Sequence, residues 1–231
     1  MQINSQQWRN LLRHQAAVCN IGLNDKAIDL TVEFASELIT LNKKTNLTAI
    51  TDPVEVVEKH IIDSFIPAKF IPPNSSVIDI GTGGGFPGIP LKILMPSLSV
   101  SLVDSSRKKI NFLKYVIRIL NLQDISAHQC RVEELSNHSD FAGQFDVVIS
   151  RAFTSLKKFL FLAVPLIKPD GFIIAMKGKE VEKELDDLKA KKIRADIYQI
   201  NSHQFSFQVE KYRLPISCDD RSLVIAKESF T

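Results

Sequence analysis

The sequence is poor in the residues that cross-link secreted proteins or anchor membrane proteins. Its three cysteines, Cys19, Cys130 and Cys218, lie far apart without C-x-x-C spacing, which predicts free thiols in a reducing compartment. The longest apolar run, FLFLAVPLI, is far shorter than the roughly 20 residues of a membrane helix. The first fifteen residues lack the apolar centre of a signal peptide. We therefore expect a cytoplasmic protein with no membrane partner.

Neither sign of charge dominates the composition. The chain has 29 Lys and Arg against 26 Asp and Glu, a formal net charge of +3 that only weakly favours an acidic partner. Before Ser76 the count is 7 against 8, and from Ser76 onwards it is 22 against 18. Aromatic residues for stacking on bases are also few, with 3 Tyr and 1 Trp, so Phe86 and Phe153 are the best-placed candidates.

The spacing of hydrophobic residues changes along the chain and divides the 231 residues into two parts. Residues 1–75 show helical spacing, with cap residues at Asn24 and at the Asp52-Pro53 pair. Residues 76–231 alternate short β-rich runs with helical ones, which predicts a doubly wound, mostly parallel sheet of seven strands. The last two runs, RADIYQI and RSLVIAK, have no helix between them and are predicted to form an antiparallel pair. KAKKIR, residues 189–194, is interpreted as a solvated helix end.

The stretch DIGTGGGFPG, Asp79 to Gly88, packs five glycines between the first strand and a helix. In such sheets ligands bind beyond the carboxyl ends of the strands, and glycines let a ligand approach the backbone closely. A loop that only makes a tight turn is the simplest alternative, but five glycines together favour a ligand.

Two ligands compete for this loop. Read from Gly83, it fits the dinucleotide fingerprint G-x-G-x-x-G, which predicts a pyrophosphate on the helix N-terminus. Asp104, which ends the next strand, suits the ribose hydroxyls of any adenosine ligand. Asp79, however, is a poor neighbour for a pyrophosphate and a good one for an ammonium group, and Val132-Glu133 after the third strand can meet an adenine edge. These features favour S-adenosylmethionine over NAD.

The loop after the fourth strand narrows the choice of methyl acceptor. It reads Ser150-Arg151-Ala152-Phe153, which differs from the Asn/Asp-Pro-Pro-aromatic pattern of exocyclic-amine methylases, and the cysteines do not match those of carbon-5 pyrimidine enzymes. A ring nitrogen with a free lone pair, such as N7 of guanine, needs no general base. Catalysis then consists of holding lone pair, methyl carbon and sulfur in line, and no catalytic triad, metal cluster or paired carboxylate is predicted.

These segments resemble the RsmG (GidB) family, bacterial methyltransferases that modify N7 of a guanine in 16S ribosomal RNA. The resemblance runs in order and in register through NLTAI (Asn46–Ile50), KHIIDSF (Lys59–Phe65), VIDIGTGGGFPGIPL (Val77–Leu91), LVDSSRKKINFL (Leu102–Leu113), RVEEL (Arg131–Leu135), SRAFTSL (Ser150–Leu156) and MKG (Met176–Gly178). It implies a class I, Rossmann-like S-adenosylmethionine-dependent methyltransferase with an N-terminal helical extension. The implied substrate is 16S ribosomal RNA in the small subunit or a late precursor.

The resemblance implies cofactor contacts at Gly81, Phe86, Val132, Glu133 and Arg151. Both the resemblance and the position of Asp104 at a strand end predict that Asp104 binds the ribose. Together with Asp79 and Gly83 these residues form the predicted cofactor site. The family often has Pro and Leu where this chain has Gly84 and Phe86, and we expect binding to survive both changes.

Basic residues supply the predicted RNA contacts. Arg107, Lys114 and Arg118 repeat along one helix face, and Lys108 and, after the fourth strand, Lys157 add to the set. A solvated helix face is the equally weighted alternative.

Several polar residues have two interpretations. Arg151 is interpreted as a catalytic residue that positions either the methionine end of the cofactor or the guanine. The alternative is an ordinary surface arginine. His60 and Asp63 are more simply a structural pair than a metal pair. Asn46 and Thr48 either contact ligand or base, or end a helix.

Two other functions compete with methylation. One is an NAD-dependent oxidoreductase, which is disfavoured because no Tyr-x-x-x-Lys or His/Arg pair follows the loop. The other is a non-catalytic RNA-binding protein. Because no large apolar stripe is unexplained, a monomer is the default expectation.

Overall fold

The computed structural model describes residues 1–188, 191–194 and 197–229. The helices are α1 (Gln6–Val18), α2 (Asp25–Thr45), α3 (Pro53–Glu55), a π-helical segment (Val56–Ile62), α4 (Asp63–Phe65), α5 (Gly88–Leu94), α6 (Arg107–Ile119), α7 (Leu156–Ala163) and α8 (Val181–Asp187). Short 3₁₀ helices span Ile66–Phe70, Val132–Asn137 and Val164–Leu166. Within this part of the chain, no helix has the length and apolar character to cross a bilayer.

The strands form one mixed sheet. They are β1 (Ser76–Ile80), β2 (Ser99–Asp104), β3 (Ile125–Gln129), β4 (Phe145–Arg151), β5 (Ile167–Lys177), β6 (Lys191–Arg194), β7 (Ile197–Ile200), β8 (His203–Arg213) and β9 (Asp220–Glu228). Their order is β3-β2-β1-β4-β5-β9-β8-β7-β6. The first five strands pair in parallel and the others antiparallel, so the predicted Rossmann-like class is correct.

The prediction of seven strands is wrong, because the described residues form nine. β8 lies in the segment interpreted as a connection. The two runs predicted to pair with each other, β7 and β9, instead pair with opposite sides of β8, and β9 also pairs with β5. β6 occupies Lys191–Arg194, where a helix end was predicted. The remaining two residues of that predicted helix end, 189 and 190, lie outside the described residues.

The N-terminal helices begin where the cap residues predict. The Asn24 side chain accepts a hydrogen bond from Ala27 N at 2.8 Å, and the Asp52 carboxylate accepts from Val54 N at 2.9 Å. Asn46 caps the end of α2 with a left-handed φ of 50°. The helix-ending interpretation of Asn46 is therefore confirmed.

Alternate residues of the strands face two different apolar layers. Val77 and Val147 pack with the N-terminal helices, α5 and α6, whereas Ile78 and Val148 pack with α7 and the C-terminal strands. Because strand side chains alternate between the two faces, both faces of the sheet are covered by other elements, and the carboxyl ends of the parallel strands stay open.

Candidate active site

A cavity of about 910 Å³ opens at the carboxyl ends of the parallel strands. Residues that follow β1, β2, β3 and β4 all contribute to its wall. The lining consists of Gly81, Asp104, Ser105, Lys109, Gln129, Cys130, Arg131, Val132, Glu133, Glu134, Ala152, Phe153, Thr154 and Lys158. We call this the edge cavity.

The glycine loop is bound tightly to the end of β2. Gly81 N and Thr82 N both donate to the carbonyl oxygen of Val103, at 2.9 and 3.0 Å. Gly81 has a φ of +71°, and a Cβ there would lie 2.3 Å from Cδ2 of Phe153. Glycine is therefore required at this position both by the backbone and by the ring packed on it.

Asp79 lies beneath the loop and does not line the edge cavity. It is fully buried, and its Oδ2 accepts hydrogen bonds from the Thr82 hydroxyl at 2.6 Å and from Gly88 N at 2.9 Å. Its Oδ1 has no partner among the described residues. Burial raises the pKa of this carboxyl from 3.8 to about 6, although both hydrogen bonds and the charge of Arg151 lower it.

This arrangement disfavours the dinucleotide interpretation. A pyrophosphate would bind the free N–H groups at the start of α5, but Gly88 N is already bonded to the Asp79 carboxylate. The same carboxylate would repel a phosphate, whereas its unpartnered Oδ1 suits a cationic ligand.

Asp104 presents a carboxylate to the edge cavity from the end of β2. It accepts hydrogen bonds from Gly83 N at 3.0 Å and Ser106 N at 2.8 Å, and Lys109 Nζ lies 3.4 Å from Oδ2. A carboxylate has about four acceptor sites, so about one site, on Oδ1, remains for a ligand hydroxyl. Gly83 itself supports Asp104 and does not line the cavity.

The other side of the cavity carries the Val132-Glu133 pair. Val132 is 6% exposed, and Glu133 forms an ion pair with Lys158 at 3.0 Å. The pKa of Glu133 is lowered by a hydrogen bond from its own backbone N–H and by Lys158. Glu133 is thus ionised at neutral pH, and its pair with Lys158 joins the β3 and β4 sides of the cavity.

The side chain of Arg151 points away from the edge cavity towards the N-terminal helices. Its Nη1 donates to the carbonyl oxygen of Lys59 at 2.7 Å and lies 3.4 Å from Oδ2 of Asp63, and its Nη2 lies 3.1 Å from Nδ1 of His60. Lys59 and His60 belong to the π-helical segment, a geometry frequent at functional sites.

The arginine is part of a larger buried network. His60 Nε2 bonds the Thr48 hydroxyl at 2.7 Å, and the Tyr212 hydroxyl donates to Asp63 Oδ1 at 2.7 Å. We call these five residues, Thr48, His60, Asp63, Arg151 and Tyr212, the Arg151 network. His60 and Asp63 are therefore structural partners of an arginine, and the described residues contain no group of three metal-ligating side chains.

The protonation state of His60 follows from its surroundings. Burial and the positive charge of Arg151 lower its pKa to about 3, so the ring is neutral at physiological pH. Nδ1 then accepts from Arg151, and the proton resides on Nε2 and is donated to Thr48. The ring also stacks on Phe86, with centroids 4.3 Å apart.

Phe86 supports this network and does not line the edge cavity. It is 4% exposed, and Cζ of Arg151 lies 4.9 Å from its ring centroid. The ring thus holds both His60 and the guanidinium from one side, a cation–π and stacking arrangement.

Ala152 joins the edge cavity to a second one. It adopts a φ of +50°, a left-handed conformation that is unfavourable for a residue with a Cβ. The second cavity, of about 360 Å³, is lined by Ile50, Lys59, His60, Asp63, Arg151, Ala152, Met176, Lys177, Gly178, Tyr212 and Arg221. Arg151 therefore belongs to this neighbouring cavity.

The basic residues predicted to contact RNA are on the surface. Arg107, Lys108, Lys114 and Arg118 are exposed on α6, and Lys157 is half-buried on α7. Lys109 instead points to Asp104.

The structure thus divides the predicted site residues into three groups. Gly81, Asp104, Val132 and Glu133 meet at the edge cavity. Asp79, Gly83 and Phe86 lie below or behind the loop, and Arg151 lines the second cavity. Sequence reasoning missed Tyr212 altogether, because it reaches Asp63 from 149 positions further along the chain.

Comparison with known proteins agrees with this fold. Residues 27–213 match the model of the GidB family, described as rRNA small subunit methyltransferase G. Curated relatives named "Ribosomal RNA small subunit methyltransferase G" include one from Syntrophus aciditrophicus, 39% identical over 97% of this chain and 91% of the relative. Another, from Mycoplasma capricolum, is 42% identical over 79% and 81%.

Solved structures support the fold alone. An O-methyltransferase from Bacillus cereus in complex with SAH superimposes with a TM-score of 0.58 at 14% identity, covering 96% of this chain and 99% of its own. A SAM-dependent methyltransferase from Aquifex aeolicus gives a TM-score of 0.55 at 14% identity, covering 83% and 97%. With a family match over most of its length and relatives near 40% identity, the chain belongs to the GidB family.

Proposed function

We propose that this chain transfers a methyl group from S-adenosylmethionine to N7 of a specific guanine in 16S ribosomal RNA. Membership of a family described as rRNA small subunit methyltransferase G supports the enzyme class. The observation that carries the proposal is the edge cavity, in which a glycine loop, the Asp104 carboxylate and the Val132-Glu133 pair converge.

The residues around the edge cavity suit S-adenosylmethionine, which supplies the transferable methyl group. Asp104 binds the ribose hydroxyls, Val132 and Glu133 contact the adenine, and Gly81 borders the methionine end. Gly83 acts indirectly by donating a hydrogen bond to Asp104. Asp79, buried beneath the loop, favours the ammonium end through its negative charge and not through a direct contact. Phe86 and Arg151 act from behind the loop by fixing its distance from the N-terminal helices.

The chemistry of the acceptor requires no general base. N7 of guanine carries a lone pair and no proton, so in-line displacement requires orientation alone. Arg151 is then a positioning residue. His60, neutral because its pKa is about 3, supports Arg151 as a hydrogen-bond acceptor.

The remaining assignments follow from this activity. The partner is 16S ribosomal RNA in the small subunit or a late precursor, and the enzyme works as a cytoplasmic monomer. Residues 1–75 and 76–231 act as one unit, because the Arg151 network draws members from both. The exposed stripe Arg107, Lys108, Lys114 and Arg118, with Lys157, is the set of RNA contacts proposed from the sequence.

Two measurements test the proposal. Calorimetry with S-adenosylmethionine and with NAD is expected to give binding only for the former. Nucleoside mass spectrometry of 16S RNA, from cells with and without the gene, is expected to show 7-methylguanosine lost with the gene. Unchanged 7-methylguanosine would contradict the proposed reaction, and NAD binding would contradict the cofactor.

A further inference from the structure

The cavity beside Ala152 continues along the edge of the sheet, away from the cofactor residues. It shares Tyr212 and Arg221 with a third cavity of about 530 Å³, which Lys179, Lys211 and Arg213 also line. We call these two adjacent cavities the acceptor groove.

The acceptor groove lies at the same edge of the sheet as the cofactor residues. Lys177 ends β5 and is paired with Ser222, near the start of β9. Arg213 ends β8, where Tyr212 is paired with Arg221. The carboxyl edge is therefore divided: the β3-β2-β1 half carries the edge cavity and the β5-β9-β8 half carries the acceptor groove.

The two halves differ in charge. Seven cationic side chains and three carboxylates line the acceptor groove: Lys59, Arg151, Lys177, Lys179, Lys211, Arg213 and Arg221 against Asp63, Glu182 and Asp220. Lys59, Lys177 and Arg221 also pair with Glu55, Glu184 and Asp219, which lie outside the lining. With these carboxylates counted, seven cations face six carboxylates, and Lys179 is the cation without a carboxylate partner among the described residues. The edge cavity is balanced, with Lys109, Arg131 and Lys158 against Asp104, Glu133 and Glu134.

Some of these cations have carboxylate partners that a phosphate can replace. Lys211 pairs with Glu182, and Arg213 pairs with Asp220 at 2.7 Å, all four side chains being more than half exposed. Exposed ion pairs are weak, so exchange of a carboxylate for a phosphate oxygen costs little.

Arg151 also has hydrogen-bonding capacity left. A guanidinium carries five N–H donors. Three have acceptors in Lys59, Asp63 and His60, and Nε–H and one Nη2–H have none among the described residues. The major-groove edge of guanine presents two acceptors, O6 and N7. A donor to O6 orients the base and leaves N7 free.

The basic stripe of α6 is less suited to this task. α6 begins at the carboxyl edge and runs back along the sheet, so Arg118 lies about 16 Å from Arg107 at 1.5 Å per residue. Only the first turn of the stripe remains near the edge where methyl transfer occurs.

We propose that the acceptor groove binds the substrate RNA. The target guanine occupies the cavity of about 360 Å³ with O6 towards Arg151, and the flanking phosphates lie on Lys179, Lys211, Arg213 and Arg221. This inference rests on the proposed function, because it names where that substrate binds.

The phosphate contacts are tested by the salt dependence of RNA binding. Affinity for unmodified 16S RNA is measured with S-adenosylhomocysteine present, over a range of salt, for the full chain and for Lys179→Gln and Arg213→Gln. Each change is expected to reduce the slope of log affinity against log salt by about one. Lys26→Gln, which removes an exposed charge at the start of α2, is the matched control and should keep the wild-type slope.

The base pocket is tested by filling it. A Cβ on Gly178 meets no atom within 4 Å, so Gly178→Phe places a ring at the cavity without a backbone clash. The methylation rate at low RNA concentration is expected to fall about a hundredfold, with cofactor affinity unchanged. Gly22→Phe, at another glycine whose Cβ would meet nothing, should change neither.

The outcomes separate this inference from the proposed function. If Arg107→Gln and Arg118→Gln reduce the salt slope while the groove variants do not, RNA binds along α6 and the inference is wrong. Full methylation by Gly178→Phe would also overturn it. If the wild-type enzyme forms no 7-methylguanosine, the proposed function fails, whereas the salt slopes still report where RNA binds.

Discussion

Replacing Asp79 by asparagine is expected to stabilise the protein and weaken cofactor binding at the same time. Both hydrogen bonds to this carboxylate, from Thr82 and Gly88, are accepted by Oδ2. An asparagine carbonyl oxygen can take that position and keep them. The amide group then replaces Oδ1, which has no partner among the described residues.

The size of the effect follows from the raised pKa. Burial raises the pKa of Asp79 from 3.8 to about 6, and a difference of about two units corresponds to roughly 3 kcal/mol. Below about pH 4 the carboxyl is protonated in both the folded and unfolded states, so it has no effect. Between pH 4 and pH 6 the folded state binds more protons, so the free energy of unfolding falls as pH rises, and above pH 6 the full penalty remains.

Urea unfolding of wild type and Asp79→Asn between pH 4 and pH 8 measures this. The difference in the free energy of unfolding should shift in favour of the variant by up to about 3 kcal/mol across that range. Asp146→Asn is the control, because the pKa of Asp146 is shifted in the opposite direction. Burial raises the Asp146 pKa, but hydrogen bonds from Ser76 and Lys168 outweigh it and lower the pKa. The lowered pKa stabilises the folded state as pH rises through the range below about pH 4, so between pH 4 and pH 8 the difference between Asp146→Asn and wild type should stay nearly constant.

Calorimetry completes the test. A cationic ligand favours ionised Asp79, so affinity for S-adenosylmethionine should weaken below pH 6 in the wild type and be lower but nearly pH-independent in Asp79→Asn. A stability difference that stays constant from pH 4 to pH 8 would refute the burial argument. An unchanged cofactor affinity would remove Asp79 from the binding site.

Three other substitutions test the remaining parts of the site. Arg151→Lys keeps the charge but loses the planar fork, so methylation should fall about a hundredfold with cofactor affinity little changed, and wild-type turnover would contradict a positioning role. Ala152→Gly removes the cost of a left-handed φ and should raise the melting temperature by about 2–4 °C, for a gain of about 1 kcal/mol; a lower melting temperature would contradict strain there. Gly81→Ala would place a Cβ 2.3 Å from the Phe153 ring, so cofactor binding measured by calorimetry should be lost, and normal binding would show that the ring moves freely.

The parallel half of the fold could be predicted because its signals are local. Each strand from β1 to β5 is a short β-rich run bounded by helical spacing. The error at β8 was avoidable, since Phe205, Phe207 and Val209 alternate with polar residues in the pattern of a half-buried strand. β6 was not predictable in this way, because Lys191 and Lys192 resemble a charged helix end and acquire strand geometry by pairing with β7.

The site was predictable where it depends on strand ends and unpredictable where it depends on distant contacts. Asp104 and Glu133 follow strands directly, so their place at the sheet edge follows from topology. The direction of the Arg151 side chain depends on His60, which is 91 positions away. Phe86 was expected to touch the ligand, but no local pattern indicates that its ring packs between Phe34 and His60.

The slight acidity of the N-terminal segment has an explanation in these contacts. Two of its eight acidic residues are turned inwards: Glu58 is 2% exposed and accepts from Ser217 N at 2.7 Å, and Asp63 bonds Arg151 and Tyr212. Removing one partner of a buried charge pair costs about 3–5 kcal/mol. Without residues 1–75 the Arg151 guanidinium would lose all three of its acceptors, Lys59, His60 and Asp63. The N-terminal segment thus holds the arginine that separates cofactor from acceptor, and with Glu58 and Asp63 turned inwards its remaining charges are seven basic against six acidic, so it does not repel RNA.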